Sequence, residues 1–268
     1  MSEFDIYENL TRFREPLIRR IIESLVISPD SKGIDVGCGI GRITNLLYSE
    51  KNLNKDLIGL DLSYDKIQYA KKYSKYTNIK FVQGDVNKLN FKSNSFDWIW
   101  SMDTIWIGPK ESGCPAEKPD KILNELNKIL IPGGKLYLAF WSSQKLLPGY
   151  PLLEARLNST ISANTPYLND MNPNNHILCV KKWLKDANFK DIKVKSFVGD
   201  IAGSLSENDK KAVSTFFEML WNNSEREVSK KDWDKFNELC SSESDKFILN
   251  DPNYYGFYIY TLFNGTKI

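Results

Sequence analysis

The stretch Ile34-Asp35-Val36-Gly37-Cys38-Gly39-Ile40-Gly41 decides the fold. Gly33–Gly37 reads as a short buried strand. Beyond the glycines, Ile43, Leu46 and Leu47 stand at i, i+3, i+4, the spacing of one helical face. A strand that runs through a glycine loop into a helix is the geometry of nucleotide-cofactor loops. Glycines permit a tight turn and let a ligand approach the backbone, and the free N–H groups of the helix start favour electron-rich groups. The dinucleotide fingerprint G-x-G-x-x-G is not met, because the third glycine comes one residue early and Arg42 stands in its place. Asp35 lies two residues before the first glycine, where it would serve a pyrophosphate poorly and a cationic ligand well. There is no G-x-x-x-x-G-K-[ST], so a phosphate-binding P-loop is excluded.

Outward from the loop, strand and helix patterns alternate. Asp56–Asp61 and Ile79–Val82 read as strands, with Ser63 as a helix N-cap between them. Phe96–Ser101 is a fourth strand. Pro119 suits the first turn of a helix whose core face holds Ile122, Leu126 and Ile129. Pro132-Gly133-Gly134 is expected to stop that helix and turn the chain into a fifth strand, Leu136–Trp141. Trp183 to Phe189 suggests a helix, Ile192–Phe197 a strand, and Tyr254–Phe263 a last strand. Strand–helix alternation with crossovers of this length predicts an α/β fold, a parallel sheet with helices on both faces. Residues 4–27 have helical periodicity ending at Ser28-Pro29. Two segments break the alternation: 142–178, rich in Pro and Asn, and about 200–250, which reads as helices around 207–222 and 229–241.

Composition bounds the function. A chain of 268 residues suits one large α/β domain or a core with a cap. Formal net charge is +2, so bulk electrostatics give no case for nucleic acid or membrane binding. No run of 18 apolar residues occurs, and MSEFDIYENL carries acids and no apolar core, so neither a spanning helix nor a secretory signal is expected. Cys38, Cys114, Cys179 and Cys240 are widely spread, with no C-x-x-C, and point to a reduced, cytoplasmic protein without structural zinc. A single histidine excludes most zinc hydrolase schemes, and no metal is expected. The chain has 7 Trp, 13 Tyr and 14 Phe, an excess that raises the question of core against binding site.

The loop Asp35-x-Gly37-x-Gly39-x-Gly41 resembles motif I of class I S-adenosylmethionine (SAM)-dependent methyltransferases, and the resemblance continues downstream in order. Asp61 closes the second strand, where the family places an acid on the ribose hydroxyls. Gln83-Gly84-Asp85-Val86 follows the third strand, where the family's acid accepts from the adenine amino group and the next N–H meets a ring nitrogen. Phe96-Asp97, the Ile131–Leu136 turn and the W-L-x-x-A-x-F pattern at 183–189 are similar to later family motifs. The resemblance implies a Rossmann-like, seven-stranded, mostly parallel sheet with an antiparallel last strand. It implies one methyltransferase domain over 1–268, with a SAM-binding core at about 30–141, 180–199 and 254–263. Helical cap and substrate elements would then occupy about 1–28, 142–178 and 200–250.

On that resemblance the donor-binding residues are expected to be Asp35, Gly37, Gly39, Asp61, Leu62 (packing on adenine), Gly84, Asp85, Val86 and Ser101, with Tyr7 and Arg12 closing from the N-terminal segment. Six of these have a plain alternative: Asp35 as a local partner, Gly37 and Gly39 as turn glycines, Asp61 as a helix cap, Asp85 as a solvated turn acid, Leu62 as core. In open α/β sheets ligands lie outside the carboxyl ends of the strands, which puts Trp106, Phe140, Trp141 and Tyr150 beside the donor methyl as a wall for a flat or amine acceptor. Trp98 and Trp100 are expected in the core. Asp103 is a candidate to orient an amine or take its proton, and His176, the only imidazole, is a candidate general base. Asp251-Pro252-Asn253-Tyr254 resembles a nucleobase-amine motif but stands in the wrong place for it and reads as a turn.

The expected reaction is methyl transfer from SAM to a small-molecule O, N, S or C nucleophile, leaving S-adenosylhomocysteine. The alternatives are an NAD-dependent oxidoreductase and a non-catalytic SAM-binding protein. Monomer and homodimer both remain open from the sequence.

Overall fold

Four residues, Gly33–Val36, form β1, and all four are buried. The computed structural model describes residues 3–167 and 171–268. β1 lies inside a seven-stranded sheet with β2 (Leu57–Asp61), β3 (Ile79–Gln83), β4 (Phe96–Met102), β5 (Leu130–Lys145), β6 (Phe189–Ala202) and β7 (Tyr255–Lys267), in the order β3-β2-β1-β4-β5-β7-β6. β3, β2, β1, β4 and β5 are parallel neighbours, and the last strands run antiparallel, as the sequence led us to expect. The near-continuous burial of β1 and β4 follows from helices covering both sheet faces.

The chain moves outward from β1 through β2 to β3, then returns to the other side of β1 as β4. This reversal sets a crevice between the carboxyl ends of β1 and β4, the place where open α/β sheets receive ligands. The register pairs Asp35 with Gly59 on β2 and with Trp100 on β4.

Contacts divide the chain into two compact units. The first comprises Pro16–Ser142, Met171–Phe197 and Tyr260–Ile268; the second comprises the described residues of Met1–Glu15, Ser143–Asp170 and Val198–Ile259. In the first unit, α2 (Arg42–Glu50) and α3 (Tyr64–Tyr73) pack on β2 and β3, and α4 (Pro119–Ile129) packs on α7 (Val180–Asp186). Trp98 and Trp100 are buried there, as expected of sheet residues. In the second unit, α5 (Pro151–Asn158), α6 (Ile161–Asn164) and α8 (Glu207–Trp221) pack together. Trp221 anchors them: it stacks with Phe217, meets the ring of Phe236 on α9 (Lys230–Cys240) edge-on, and its indole N–H donates to Asn158 Oδ1 at 2.9 Å. α1 (Glu3–Glu23) and the long strands β5, β6 and β7 contribute residues to both units.

Two boundaries differ from the sequence expectation. Pro132-Gly133-Gly134 does not separate α4 from β5, because β5 begins at Leu130 and carries the three residues as a bulge. Phe96 pairs with Leu130 and Trp98 with Lys135, so five positions on β5 span two intervals of β4; Gly133 supplies the positive φ of 78° that the bulge needs. The helix expected to reach Phe189 ends at Asp186. Asn188 turns at φ 62°, and Phe189 already opens β6. The segment 142–178, rich in Pro and Asn and expected to hold cap elements, contains the short helices α5 and α6. Asp251–Tyr254 is a turn, with the Asp251 carboxylate accepting from Asn253 N at 2.8 Å.

Candidate active site

The glycine loop is pinned from below by β2. The backbone N–H groups of Gly37 and Cys38 both donate to Leu60 O, at 2.7 and 3.0 Å. Gly37 has φ 83°, and a Cβ there would sit 1.9 Å from Thr104 Oγ1. Glycine is therefore required twice over, by conformation and by the side chain that closes on it. Thr104 follows β4, and its hydroxyl lies 3.0 Å from Met102 O and 3.5 Å from Gly37 O. Ser101 Oγ donates to Val36 O at 2.7 Å. These contacts tie the end of β4 to the loop after β1.

Asp61 is the organising acid. One carboxylate oxygen accepts from Gly39 N at 2.8 Å and the other from Ser63 N at 2.9 Å, while its carbonyl accepts from Gly84 N at 2.9 Å. A carboxylate has about four acceptor sites, so two remain for a ligand. Leu62, next in sequence, is 68% exposed, which rules out the core alternative for it. Ser63 caps α3 through Lys66 N. Asp85 is exposed, and Oδ1 accepts from Asn87 N and Nδ2 at 2.8 and 2.9 Å. Val86 beside it is buried. Asn87 in turn donates to Pro115 O, and with Asp85 it lines a cleft of about 390 Å³ bounded by Lys110 and 115–121.

Beneath the loop, Asp35 is 2% exposed and accepts from Thr44 Oγ1 of α2 at 2.6 Å. Burial drives its pKa up to about 7; the Thr44 bond opposes that shift and the negative charge of Asp61 adds to it. The Cys38 thiol is pushed well above its usual range by burial and by both acids, so it is a poor nucleophile. The described cysteines are all free. α2 follows its N-cap residue Gly41 without any side-chain cap.

The acceptor-side residues fall out differently from the sequence expectation. Asp103 sits in the left-handed region at φ 50°. One carboxylate oxygen accepts from Trp141 N at 2.9 Å, and the other holds the Tyr260 hydroxyl. It thereby ties the end of β4 to β5 and β7. His176 Nδ1 accepts from Leu178 N at 3.2 Å and caps a short 3-10 turn; burial lowers its pKa. Phe140 is 1% exposed, edge-on to Trp106 on one side and Phe263 on the other, so it is core and not pocket wall. Trp106 and Trp141 are half-buried, Trp141 with its ring edge-on to Tyr260.

Asp35, Gly37, Gly39, Asp61, Gly84 and Ser101 are thus brought together at the strand ends of the first unit, joined by Thr44 and Thr104, which the sequence reading missed. The signal for them was thin: a threonine in a first helical turn and one after a strand are common. Tyr7, Arg12 and Tyr150 belong to the second unit. Arg12 donates to Asn9 Oδ1, and Tyr150 lies under Lys235 Nζ at 5.1 Å in a cleft of about 610 Å³ between α5 and α9.

Residues 27–235 match the methyltransferase domain family. This chain belongs to that family. The family, with the fold, makes it a class I SAM-dependent methyltransferase, and the nicotinamide-dependent oxidoreductase expectation is set aside. The chain is 28% identical to demethylmenaquinone methyltransferase of Staphylococcus carnosus over 220 residues, covering 75% of this chain and 86% of that protein. Among solved structures, it is similar in fold to the YcgJ protein of Bacillus subtilis, with TM-score 0.55, 16% identity, and 94% and 98% of the two chains covered. It is also similar to Haemonchus contortus phosphoethanolamine N-methyltransferase 2, solved with phosphomonomethylethanolamine and S-adenosylhomocysteine, with TM-score 0.50, 19% identity, and 99% and 53% covered. Among the described residues no helix is long and apolar enough to cross a membrane, and no group of three or more metal-ligating side chains occurs.

Proposed function

We propose that the crevice between β1 and β4 holds SAM and that the chain methylates a small organic molecule. The observation that carries this reading is Asp61, which fixes the glycine loop through Gly39 and the start of α3 through Ser63 yet keeps acceptor capacity on both oxygens. Asp61 would take the ribose hydroxyls. Exposed Leu62 and buried Val86 would flank the adenine, with Asp85 Oδ2 and the Val86 N–H on its polar edge. The start of α2, which has no side-chain cap, would take the donor's carboxylate, as helix starts do for anions, and Asp35 would lie near the cationic part.

Bound there, the sulfonium supplies an already activated methyl group for in-line displacement. What the chain then contributes is alignment and exclusion of water, effects worth up to ~7–11 kcal/mol. Ser101 and Thr104 hold the β4 end against the loop, so donor and acceptor sides are fixed to one frame. Trp106 and Trp141, half-buried beyond β4 and within β5, supply flat apolar surface for the acceptor. His176 remains the only imidazole and is the candidate base where the acceptor needs one. Near-neutral charge supports a small acceptor over a polyanion, as does the likeness to demethylmenaquinone methyltransferase.

Isothermal calorimetry tests the donor site. SAM and S-adenosylhomocysteine are expected to bind at micromolar affinity, and Asp61→Ala to weaken both at least about tenfold, or ~1.4 kcal/mol. Absence of binding by the intact protein overturns the reading. Turnover with quinol and amine acceptors separates an enzyme from a mere SAM binder.

A further inference from the structure

Charge and aromatic side chains are unevenly spread over the chain. Lysine and arginine number 36 against 34 acids overall, yet between Leu62 and Asn78 four lysines and four tyrosines stand with one acid, Asp65. This stretch is α3 and the turn after it. Ile67 and Ala70 are the buried residues of the helix, which packs by that side on β2 and β3. Tyr69 and Tyr73, at i and i+4, share another side. Their ring centroids are 4.4 Å apart, and the Lys72 ammonium lies 5.1 Å from the Tyr73 ring. Beyond the helix, Tyr76 meets Tyr48 of α2 at 4.7 Å. Lys75 N donates to Asn45 Oδ1 of α2 at 3.0 Å, and Asn78 Nδ2 donates to the Tyr48 hydroxyl at 3.1 Å. These bonds hold the rings as one surface across two helices. Tyr73 is 53% exposed, and Lys71, Lys72 and Lys75 are exposed with it. Among the other acids of residues 45–80, Glu50 is paired with Arg19, Asp56 with Lys80, and Asp61 is bonded to the glycine loop.

We propose that this face of α3 and α2 rests on an anionic lipid surface. Rings that pack on one another, one of them beside a lysine ammonium, have their faces engaged, so they offer little platform for nucleic-acid bases to stack on. What they turn outward is ring edge, hydroxyl and ammonium. Tyrosine, with an apolar ring and a polar tip, settles at the headgroup level of a bilayer. Lysines near an anionic leaflet add attraction at short range. The chain from Tyr69 to Tyr76 carries no large aliphatic side chain, so the face fits adsorption at the headgroups rather than insertion into hydrocarbon. The overall net charge of +2 conceals this local excess. The inference stands apart from the donor site, none of whose residues is among these tyrosines and lysines.

Co-sedimentation of the full chain with vesicles tests it. Phosphatidylcholine vesicles with about 30% phosphatidylserine are expected to bind the protein, and phosphatidylcholine alone to bind it at least about tenfold more weakly. About 0.5 M salt should release it, because screening removes the attraction between exposed charges. Lys71→Gln, Lys72→Gln and Lys75→Gln together should weaken binding roughly a hundredfold, at about fivefold per lysine. Tyr73→Ser should weaken it severalfold with charge unchanged. The unfolding midpoint should stay at the wild-type value in both variants. A matched control on β6, Lys190→Gln with Lys193→Gln and Lys195→Gln, removes the same charge elsewhere and should leave binding within about threefold. If a variant fails to fold, the lipid and salt comparisons on the wild-type chain decide. Equal binding to the two vesicles, equal loss in the two triple variants, or no binding overturns the proposal. Tighter binding to a single-stranded RNA oligonucleotide than to the anionic vesicles, lost in the α3 triple variant, puts nucleic acid in the place of lipid and overturns it too. Each of these outcomes leaves SAM binding by the intact protein untouched, so the donor site stands or falls by its own test.

Discussion

At the scale of single residues, the site depends on a few side chains that hold backbone in place. Asp61 does so for two elements at once. Both its expected roles, ribose acid and helix cap, are compatible, because a carboxylate can accept from the loop and the helix and still face a ligand. Gly37 is the least replaceable position. Gly37→Ala is expected to cost at least ~2 kcal/mol, from the positive φ and the collision with Thr104, and to weaken SAM binding with it. Denaturant unfolding and calorimetry check the two effects, and an unfolding midpoint equal to wild type would show that Thr104 moves freely aside. The glycine, Asp35, Asp61 and Leu62 were legible in the sequence because motif and order point to them. Thr44 and Thr104 were not, since each matters only through a partner 9 or 67 positions away.

At the scale of elements, local rules explain most starts and stops. Ser63, Pro119 and the Ser206–Asp209 pair mark the helices they precede. The Ser206 side chain accepts from Asp209 N while Asp209 reaches back to the Ser206 N–H, a reciprocal cap. Ser206→Ala is expected to destabilise the protein by ~1 kcal/mol without changing SAM affinity, measured by thermal unfolding and calorimetry side by side. The bulge in β5 was not legible. Pro-Gly-Gly punctuates a sequence as a turn, and only pairing of the flanking residues with β4 keeps it inside the strand. The same holds for α7, whose apolar pattern runs on past its end because Phe189 is buried by the sheet it joins.

At the scale of the whole molecule, the buried acid under the loop writes itself into stability. Asp35 titrates near 3.9 in an unfolded chain and at about 7 in the fold. Between these values the folded protein keeps a proton that the unfolded chain has lost. Stability therefore falls as pH rises from about 4 to 7, and the full cost persists above 7. Three pKa units set its ceiling at ~4 kcal/mol. Asp35→Asn is expected to be more stable than wild type at pH 8, relative to pH 5, in denaturant titrations at both pH values. A pH-independent difference would place the ionisation of Asp35 elsewhere.

The sequence by itself determined the α/β class, the parallel sheet, the glycine loop and the acids at the strand ends, because period, turn chemistry and motif order are local properties of the chain. Tertiary structure decided which aromatics are core, turning Phe140 inward between Trp106 and Phe263. It decided that Asp103 bonds Trp141 N and the Tyr260 hydroxyl, and that Asp35 is buried against Thr44 with its pKa raised. Each of these depends on neighbours brought from distant positions, and burial and partnership exist only once the chain has folded.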